Sequence, residues 1–265
     1  QVFTLLAHFN GPRFLGAAID SVRAHTLTSW EMILVDDAST DASLTIAREA
    51  SAGDGRIRVL AQSVNRGPAA ARNRALEDAR GEWIAIFDSD DVMAPERLAR
   101  LLERARAHGA RIVADNQLIC SADLTPERRF LSPRNARAVE TADIALFIQS
   151  SRLYSSYPDL GFLKPMFHAS LLDQTGARYM ETLRVGEDFH FMLRLLAGGE
   201  QVSIDPRPLY FYRKHSASIS HRLGGETISR MIAADDAFAQ SAVLAACARQ
   251  ALGRRIEGLK TWAAY

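Results

Sequence analysis

Two spacings of apolar residues alternate along the first half of the chain. Short, continuous apolar runs such as WIAIF (83–87) are typical of strands that are buried on both faces. Between these runs, apolar side chains recur every three or four positions, as Leu15, Ala18 and Val22 do, which predicts amphipathic helices. Strands that alternate with helices favour parallel pairing, with helices on both faces of the sheet. The predicted strands are VFTLLA (2–7), EMILV (31–35), RIRVL (56–60), WIAIF (83–87) and ARIVA (110–114).

The alternation stops after Cys120, and the second half is less regular. Residues 121–138 are polar and contain two prolines, which predicts a long loop. Helices are predicted over 140–149, from Gly186 to Leu196 and from Glu226 onward, and strands near 200–204 and 208–213.

These elements predict an α/β fold, with a mostly parallel central sheet flanked by helices and a helical C-terminal extension. We expect one domain over residues 1–225, divided into halves at 1–118 and 119–225, and the extension over 226–265.

The composition is that of an ordinary globular protein, since 48% of the 265 residues are hydrophobic and 24% are charged. The formal net charge of +1 gives no strong overall field, so we expect no nucleic-acid partner. The cysteines, Cys120 and Cys247, are far apart, which fits a reducing compartment such as the cytoplasm. The apolar tract from Ala237 to Ala248 is too short to span a bilayer, and no signal segment opens the chain. Whether Gln1 is the natural N-terminus is left undecided, because the chain starts on a strand-like run without Met.

Polar residues follow three of the predicted strands, at the edge where open parallel sheets bind ligands. Helix capping would explain Ser39, Thr40 or Asp41 in VDDASTD, but not the acid pair before them. The residues at the three strand ends are His8, Phe9 and Asn10, then Asp36 and Asp37, then Asp88, Ser89, Asp90 and Asp91.

The stretch DSDD (88–91) is the strongest of these candidates. Asp88 and Asp90 have the spacing that puts side chains on one face of a strand, with Ser89 turned away. Two carboxylates that converge at a sheet edge suit Mg²⁺ or Mn²⁺, especially an ion that also holds substrate phosphates. The alternative is a solvated turn whose acids cap the helix that starts near Pro95.

Five motifs, in this order, resemble the inverting family 2 glycosyltransferases over roughly residues 1 to 220. They are VDDASTD, NRGPAAARNRALEDARGEWIAIFDSDD, GFLKPMF, GEDFHFMLRLL and YFYRKHSASIS. The resemblance implies a Rossmann-like GT-A fold and a nucleotide-diphosphate sugar as donor. It also implies that the first half binds the nucleotide and that the second half serves catalysis and the acceptor. Ala7-His8-Phe9-Asn10 departs from the family, which usually has a stretch like Pro-Thr-Tyr-Asn there.

The resemblance further implies roles for single residues. Asp188 would be the general base, with Glu187 in another role, since adjacent helix residues point about 100° apart. The alternative for this pair is that both acids only complement the helix dipole. The divalent metal, Mn²⁺ or Mg²⁺, would be held by Asp88 and Asp90, with His215 on the metal or the diphosphate. The nucleotide would be lined by Phe9, Asp36, Asp37, Arg72, Asn73, Ser89 and Arg213.

Other classes stay open on these residues alone. An apolar strand that ends in D-x-D, with Lys164 later, also fits a haloacid dehalogenase-type phosphatase, although Asp91-Val92 stand where that motif has Gly-Thr. A non-catalytic nucleotide-sugar-binding relative would keep the same motifs. A dinucleotide oxidoreductase is disfavoured, because no G-x-G-x-x-G follows the first strand.

The partners follow from the family rather than from the residues. A UDP-sugar is the expected donor, and a polysaccharide or lipid-linked glycan the expected acceptor, contacted by 121–160 and the C-terminal helices. These helices either pack on the core or form a basic amphipathic face for the inner side of an anionic membrane or for a second subunit. Their apolar positions are Met231, Phe238, Leu252, Ile256 and Leu259, and their late basic ones are Arg249, Arg254, Arg255 and Lys260.

Overall fold

The computed structural model describes residues 1–153, 155–215 and 224–263, which form one mixed sheet flanked by helices. The strands are β1 (Val2–His8), β2 (Trp30–Asp36), β3 (Ile57–Ala61), β4 (Trp83–Asp88), β5 (Val92–Met93), β6 (Ile112–Cys120), β7 (Pro126–Arg129), β8 (Thr141–Ala142), β9 (Met166–His168) and β10 (Val202–Arg213). The helices are α1 (Pro12–Arg23), α2 (Ser43–Gly53), α3 (Pro68–Glu77), α4 (Arg97–His108), α5 (Pro133–Ala138), α6 (Ile144–Ser150), α7 (Ser170–Thr175), α8 (Glu187–Leu196), α9 (Gly225–Ser241) and α10 (Ala246–Ala263). The strand order is β3-β2-β1-β4-β9-β6-β10-β5, with β7 paired to β6 and β8 to β10.

The first half of the sheet is parallel, as its alternating pattern predicts. β1 pairs with both β2 and β4, so that Leu5 lies opposite Ile33 on one side and Ile86 on the other. Successive side chains of β1 enter different cores, because a strand has a period of two. Leu5 packs in the core that contains α3, and Leu6 packs in the core that contains α1. Burial on both faces therefore explains the continuous apolar runs.

The second half mixes strand directions, and β6 is longer than the predicted 110–114. The short β9 lies antiparallel between β4 and β6. The second part of β6 begins with polar residues that are nevertheless buried, so the apolar pattern does not predict that the strand continues there. Asp115 pairs with Arg97, while the Asn116 and Gln117 side chains donate to backbone carbonyls. Most polar groups of this buried stretch find a partner, as buried polar groups generally do, although Asp115 Oδ2 and Gln117 Oε1 have none among the described residues.

Two further expectations for the second half are wrong. Residues 121–138 are not one loop, since they contain β7 and α5; β7 is an exposed edge strand, which carries no apolar alternation to detect. The strands expected near 200–204 and 208–213 are one strand, β10, which pairs in parallel with β6. Its register shifts between Asp205 and Tyr210, where Pro206 and Pro208 cannot donate to the ladder.

The apolar face of α9 and α10 is packed on the rest of the protein, the first of the two alternatives for the extension. Arg255 is buried as well, and its Nε donates to Asp235 Oδ2 at 3.0 Å. Within the described ranges, no helix combines the length and the apolarity needed to cross a membrane. The apolar positions that the sequence spacing identified in these helices are all buried, namely Met231, Phe238, Leu252, Ile256 and Leu259.

Candidate active site

A cavity of about 680 Å³ opens beside the carboxyl ends of β1 and β4. Its lining comes from the residues after β1, the start of α3, the turn after β4, the N-terminus of α8 and the two C-terminal helices. This is the edge at which open α/β sheets bind ligands, and the volume is in the range of small-molecule sites.

Asp37, directly after β2, holds the loop that leads into α3. Its Oδ1 accepts hydrogen bonds from the Arg66 N–H at 2.8 Å and from Gln62 Nε2 at 3.0 Å, and its Oδ2 accepts one from the Gly67 N–H at 2.7 Å. Gly67 has a φ of 91°, a left-handed conformation that favours glycine, and Pro68 then opens the helix. Asp37 therefore fixes this loop at the cavity that it also lines.

Five charged side chains, which we term the charge network, lie together in the cavity wall. Arg72 Nη2 donates to Asp88 Oδ1 at 3.0 Å, and Arg72 Nη1 donates to Glu187 Oε1 at 2.8 Å. Lys164 Nζ lies 2.7 Å from Asp88 Oδ2 and 2.9 Å from Asp188 Oδ2. Three carboxylates thus share two cations, which leaves one formal negative charge when all are ionised.

The network joins four parts of the chain that are distant in sequence. Arg72 lies on α3, Asp88 ends β4, and Lys164 precedes β9. Glu187 and Asp188 are the first two residues of α8, where the free N–H groups of a helix stabilise negative charge.

The acids of the network differ in their proton affinity. Burial alone would raise the pKa of Asp88, but Lys164 and Arg72 outweigh it and hold the pKa of Asp88 at about 2. Burial and the charge of Asp188 raise the pKa of Glu187, although Arg72 opposes this. Asp88 is therefore held ionised, whereas Glu187 gives up its proton less readily than an ordinary glutamate.

Asp188 differs from Glu187 in its hydrogen bonds. Its Oδ2 faces Lys164, but its Oδ1 accepts no hydrogen bond from any residue that the structure describes. Arg72 Nη1 lies 3.4 Å from this Oδ1. Asp188 lines the cavity with a side chain that is 21% exposed, although this Oδ1 is itself buried against Arg72.

A second set of side chains lies in the turn after β4. Asp90 Oδ2 is 2.8 Å from His215 Nε2, and the Asp90 carbonyl accepts a hydrogen bond from Arg213 Nε at 2.7 Å. Asp91 accepts hydrogen bonds from the Tyr210 hydroxyl and the Arg213 N–H, both at 2.7 Å. The turn is thereby tied to the end of β10.

This turn suits a divalent cation. Asp88, Asp90 and Asp91 each offer an oxygen, and these atoms lie within 4.8 Å of one another. Burial and the neighbouring charges of Asp90 and Asp88 raise the pKa of Asp91, although the hydrogen bond from the Arg213 N–H opposes this. Asp91 is engaged by Tyr210 and Arg213, and both oxygens of Asp88 face Arg72 and Lys164, so Asp90 and His215 are the readier ligand candidates, with Asp88 beside them. Carboxylate oxygens with one imidazole fit Mn²⁺ or Mg²⁺.

Most of the residues predicted from the sequence do line the cavity together. The prediction that Ser89 turns away is wrong, because β4 ends at Asp88 and the alternation of a strand stops there. Ser89 lines the same cavity, and its Oγ is 2.7 Å from His8 Nδ1. The predicted residues that line the cavity are Phe9, Asp37, Arg72, Asp88, Ser89, Asp90, Glu187, Asp188 and His215.

Three other predicted residues lie behind the cavity rather than in its lining. Asp36 accepts a hydrogen bond from the Ser39 N–H at 3.0 Å. Asn73 bonds both the N–H and the carbonyl of Tyr179, which ties α3 to the segment before α8. Arg213 supports the Asp90 carbonyl, as described above. Each of them holds an element that does line the cavity.

Lys164 is the main residue that the sequence did not single out for this site. It is only 7% exposed, and it bridges the acid of β4 to the acid of α8. The available signal was a lysine inside the apolar motif GFLKPMF, since a buried lysine requires carboxylate partners.

Comparisons with known proteins identify the family of this chain. The family model described as Glycosyl transferase family 2 matches residues 5–171. The succinoglycan biosynthesis protein ExoO of Rhizobium meliloti (strain 1021) is 38% identical over 260 residues, which are 98% of this chain and 74% of that protein.

Two solved structures share the fold. S. aureus TarS 1-349 in complex with UDP-GlcNAc has a TM-score of 0.78 at 18% identity, over 99% of this chain and 73% of that one. The mannosyltransferase PcManGT from Pyrobaculum calidifontis, in complex with GDP-Man and Mn²⁺, has a TM-score of 0.71 at 16% identity, over 99% of this chain and 71% of that one. The expected α/β fold with a mostly parallel sheet and C-terminal helices is confirmed.

Proposed function

Because the chain belongs to glycosyl transferase family 2, we propose that it moves a sugar from a nucleotide-diphosphate donor to a hydroxyl of an acceptor, with inversion at the anomeric carbon. We take a UDP-sugar as the donor. The UDP-GlcNAc bound to TarS and the GDP-Man bound to PcManGT support a nucleotide-diphosphate sugar, although they differ in the base. The family match leaves the phosphatase alternative without support.

The place of the Asp188 carboxylate in the cavity wall, where its Oδ1 accepts no hydrogen bond from a described residue, is the observation that carries this proposal. Inversion in one step requires a base that takes the proton of the acceptor hydroxyl while its oxygen attacks the anomeric carbon. Glu187 is less suited to that role, since Arg72 already occupies its carboxylate. Lys164 donates to Asp188 Oδ2, and so fixes the carboxylate in the wall of the cavity.

The turn after β4 would hold the donor's diphosphate through a divalent metal. In this proposal Asp90 and His215 are ligands, with Asp88 beside them, and Mn²⁺ or Mg²⁺ is the ion. When bound, the metal supplies positive charge that stabilises the leaving diphosphate. Arg213 keeps the turn in place through the Asp90 carbonyl.

The nucleotide would lie on the side of Asp37 and Phe9. Asp37 keeps the Arg66–Gly67 backbone beside the cavity, so it would position the base pocket as well as contact the base. Phe9 is 47% exposed at the cavity, where its ring can stack on a base.

The remaining expectations on partners stay predictions. The acceptor is a polysaccharide or a lipid-linked glycan, and the protein acts in the cytoplasm. Contact with the inner face of the membrane, or a homodimer through the C-terminal helices, would have to use side chains other than the buried face of α9 and α10.

A panel of nucleotide sugars tests the proposal. The protein is incubated with UDP-Glc, UDP-Gal, UDP-GlcNAc or GDP-Man and simple glycoside acceptors, with Mn²⁺ or with EDTA. Release of nucleotide is measured, and proton NMR gives the anomeric configuration of the product. We expect metal-dependent release and an inverted anomer. Binding without turnover would favour the non-catalytic relative, and a retained configuration would exclude Asp188 as the base of a single displacement.

A further inference from the structure

Exposed apolar side chains gather at the cavity. Six large apolar residues are exposed within the described ranges, and four of them line the cavity. Single exposed apolar residues are ordinary, but a concentration at one concave site indicates a ligand surface. The four residues are Phe9, Leu153, Phe162 and Trp262.

Three of these residues come from parts of the cavity lining other than the strand ends. Leu153, Phe162 and Trp262 are 38%, 40% and 40% exposed. Together with Met231 of α9 and Leu259 of α10, which also line the cavity, they make what we term the C-terminal wall. Met231, Leu259 and Trp262 lie beyond residues 5–171, the part that the family model matches. Leu153 and Phe162 lie within that part.

Buried charges fix the C-terminal wall to the catalytic helix. Asp235 of α9 is fully buried between Arg255 of α10, at 3.0 Å, and His190 of α8, whose Nε2 lies 2.9 Å away. The Arg255 guanidinium also lies 3.9 Å from the centroid of the Phe189 ring and donates to the Ser151 carbonyl. One carboxylate thus joins both C-terminal helices to the helix that carries Asp188. The distance between the wall and the base is set by the fold.

We propose that the C-terminal wall binds the terminal sugar ring of the acceptor, with Trp262 and Phe162 against the C–H face of the ring. This inference rests on the proposed function and names the substrate class for its acceptor side. A pyranose has an apolar face and a polar edge, and so fits a surface where aromatic rings alternate with charged groups.

Charged groups are indeed interleaved with this wall. Asp159 and Arg255 line the same cavity, and Asp159 caps the short turn that carries Phe162. Arg255 is already paired with Asp235. Asp159 Oδ1 accepts hydrogen bonds from Ser151 and Gly161, but Asp159 Oδ2 accepts none from a described residue. A hydrocarbon chain would desolvate this oxygen without a partner, which is costly. A sugar hydroxyl can donate to it instead, which favours a glycan ring over a lipid chain at this wall.

Saturation-transfer NMR tests the inference with simple probes. The methyl glycosides of glucose, galactose, mannose and N-acetylglucosamine are measured with and without UDP and Mn²⁺, beside octyl β-D-glucoside. We expect saturation of ring C–H protons in at least one methyl glycoside. Trp262→Ala should lower that affinity about fivefold, the size of one aromatic stacking contact. Val243→Ala, at a residue 95% exposed and outside the cavity lining, should leave it unchanged.

Three outcomes would overturn the inference. They are no saturation of any methyl glycoside, saturation of the octyl chain alone, and equal affinities for Trp262→Ala and the native protein. Phe162→Ala serves as a second variant, and circular dichroism confirms that each variant is folded. Calorimetry of UDP binding to the native protein separates the two proposals. If UDP binds and no sugar ring does, only the acceptor wall is wrong; if UDP does not bind, the proposed function is wrong.

Discussion

The charge network and the C-terminal wall line the same cavity, but they differ in which groups face the ligand space and how these groups are held. In the network, every charged side chain faces the ligand space and is held by another charge, as Lys164 is by Asp88 and Asp188. In the wall, the charges of Asp235 and Arg255 are paired behind the surface, and apolar rings face the ligand space. Buried charged groups thus need partners within the protein even without a ligand, whereas apolar side chains can stay exposed in the free protein and become buried when a ligand binds.

The largest effect is expected from breaking the network. Lys164→Met would leave two largely buried carboxylates with Arg72 as their remaining cation. Removing one partner of a buried ion pair costs about 3–5 kcal/mol of folding free energy. Urea unfolding measures this cost. Lys214→Met is the matched control, because Lys214 is half exposed and pairs with exposed Glu127, so its loss should cost less than about 1 kcal/mol. Equal costs for the two variants would mean that the network is not a folding element.

The same variant should also change the acid sensitivity of the protein. The pKa of Asp88 is about 2 in the folded protein against an ordinary 3.8. Its contribution to stability is therefore complete above pH 3.8 and is lost as the pH falls from 3.8 toward 2. Without Lys164 the pKa of Asp88 rises, so this loss moves to higher pH. Urea midpoints measured at successive pH values test the shift, and an unchanged profile would contradict it.

The second effect concerns catalysis by Asp188, which belongs to the charge network and lies on α8, the helix joined to the C-terminal wall. Asp188→Asn should reduce transfer about 10²-fold or more, because the amide cannot accept the acceptor's proton. UDP affinity, measured by calorimetry, should change little. Glu187→Gln is the neighbouring control, and it should perturb the Arg72 contact without removing the base. If Asp188→Asn turns over normally while Glu187→Gln is inactive, the two acids have been assigned in reverse.

The two regions also differ in how far the sequence predicts them. Asp37, Asp88 and Asp90 follow apolar strands, and the parallel βα pattern brings such positions to one edge, so their meeting could be predicted. The partner of Asp88 could not be derived from periodicity, since Lys164 comes from an irregular segment before an antiparallel strand of three residues.

The C-terminal wall was predictable only as helices. The spacing of Met231 and Leu259 identifies a helical apolar face, and that prediction is confirmed. Nothing in the spacing distinguishes Trp262, which faces the cavity, from side chains packed on the core. Arg255 also resembles a surface charge in the sequence, because its partner Asp235 lies twenty positions away on another helix.

The third effect tests the metal site on the network's side of the cavity. Asp90→Ala should weaken Mn²⁺-dependent UDP binding about tenfold or more, a typical loss when a metal site is disturbed. Calorimetry with Mn²⁺ and with EDTA measures it. Asp20→Ala is the control, since its side chain is 72% exposed on α1. The metal site is refuted if UDP binds equally well in EDTA and the Asp90 variant matches the control.

The smallest expected effect is a change in the metal preference of the site when His215, which contacts Asp90, is replaced. His215 Nε2 is 2.8 Å from Asp90 Oδ2, and its ring stands 4.9 Å from the Phe14 ring, so an apolar neighbour and an acid fix its orientation. Imidazole is a softer ligand than carboxylate, and it favours Mn²⁺ over Mg²⁺. His215→Ala should therefore weaken Mn²⁺-dependent UDP binding about threefold more than Mg²⁺-dependent binding.

The exposed His108, at the end of α4, gives the matched control for His215. His108→Ala should leave both affinities unchanged. If His215 only orients Asp90, its loss weakens binding with both metals by the same factor, because the ligand set then stays all-oxygen. A donor-bound structure with His215 more than about 5 Å from both metal and phosphate would exclude a direct contact, because that distance exceeds coordination and hydrogen-bond range. The ratio of the two metal affinities therefore decides whether His215 acts on the ion or only through its neighbour.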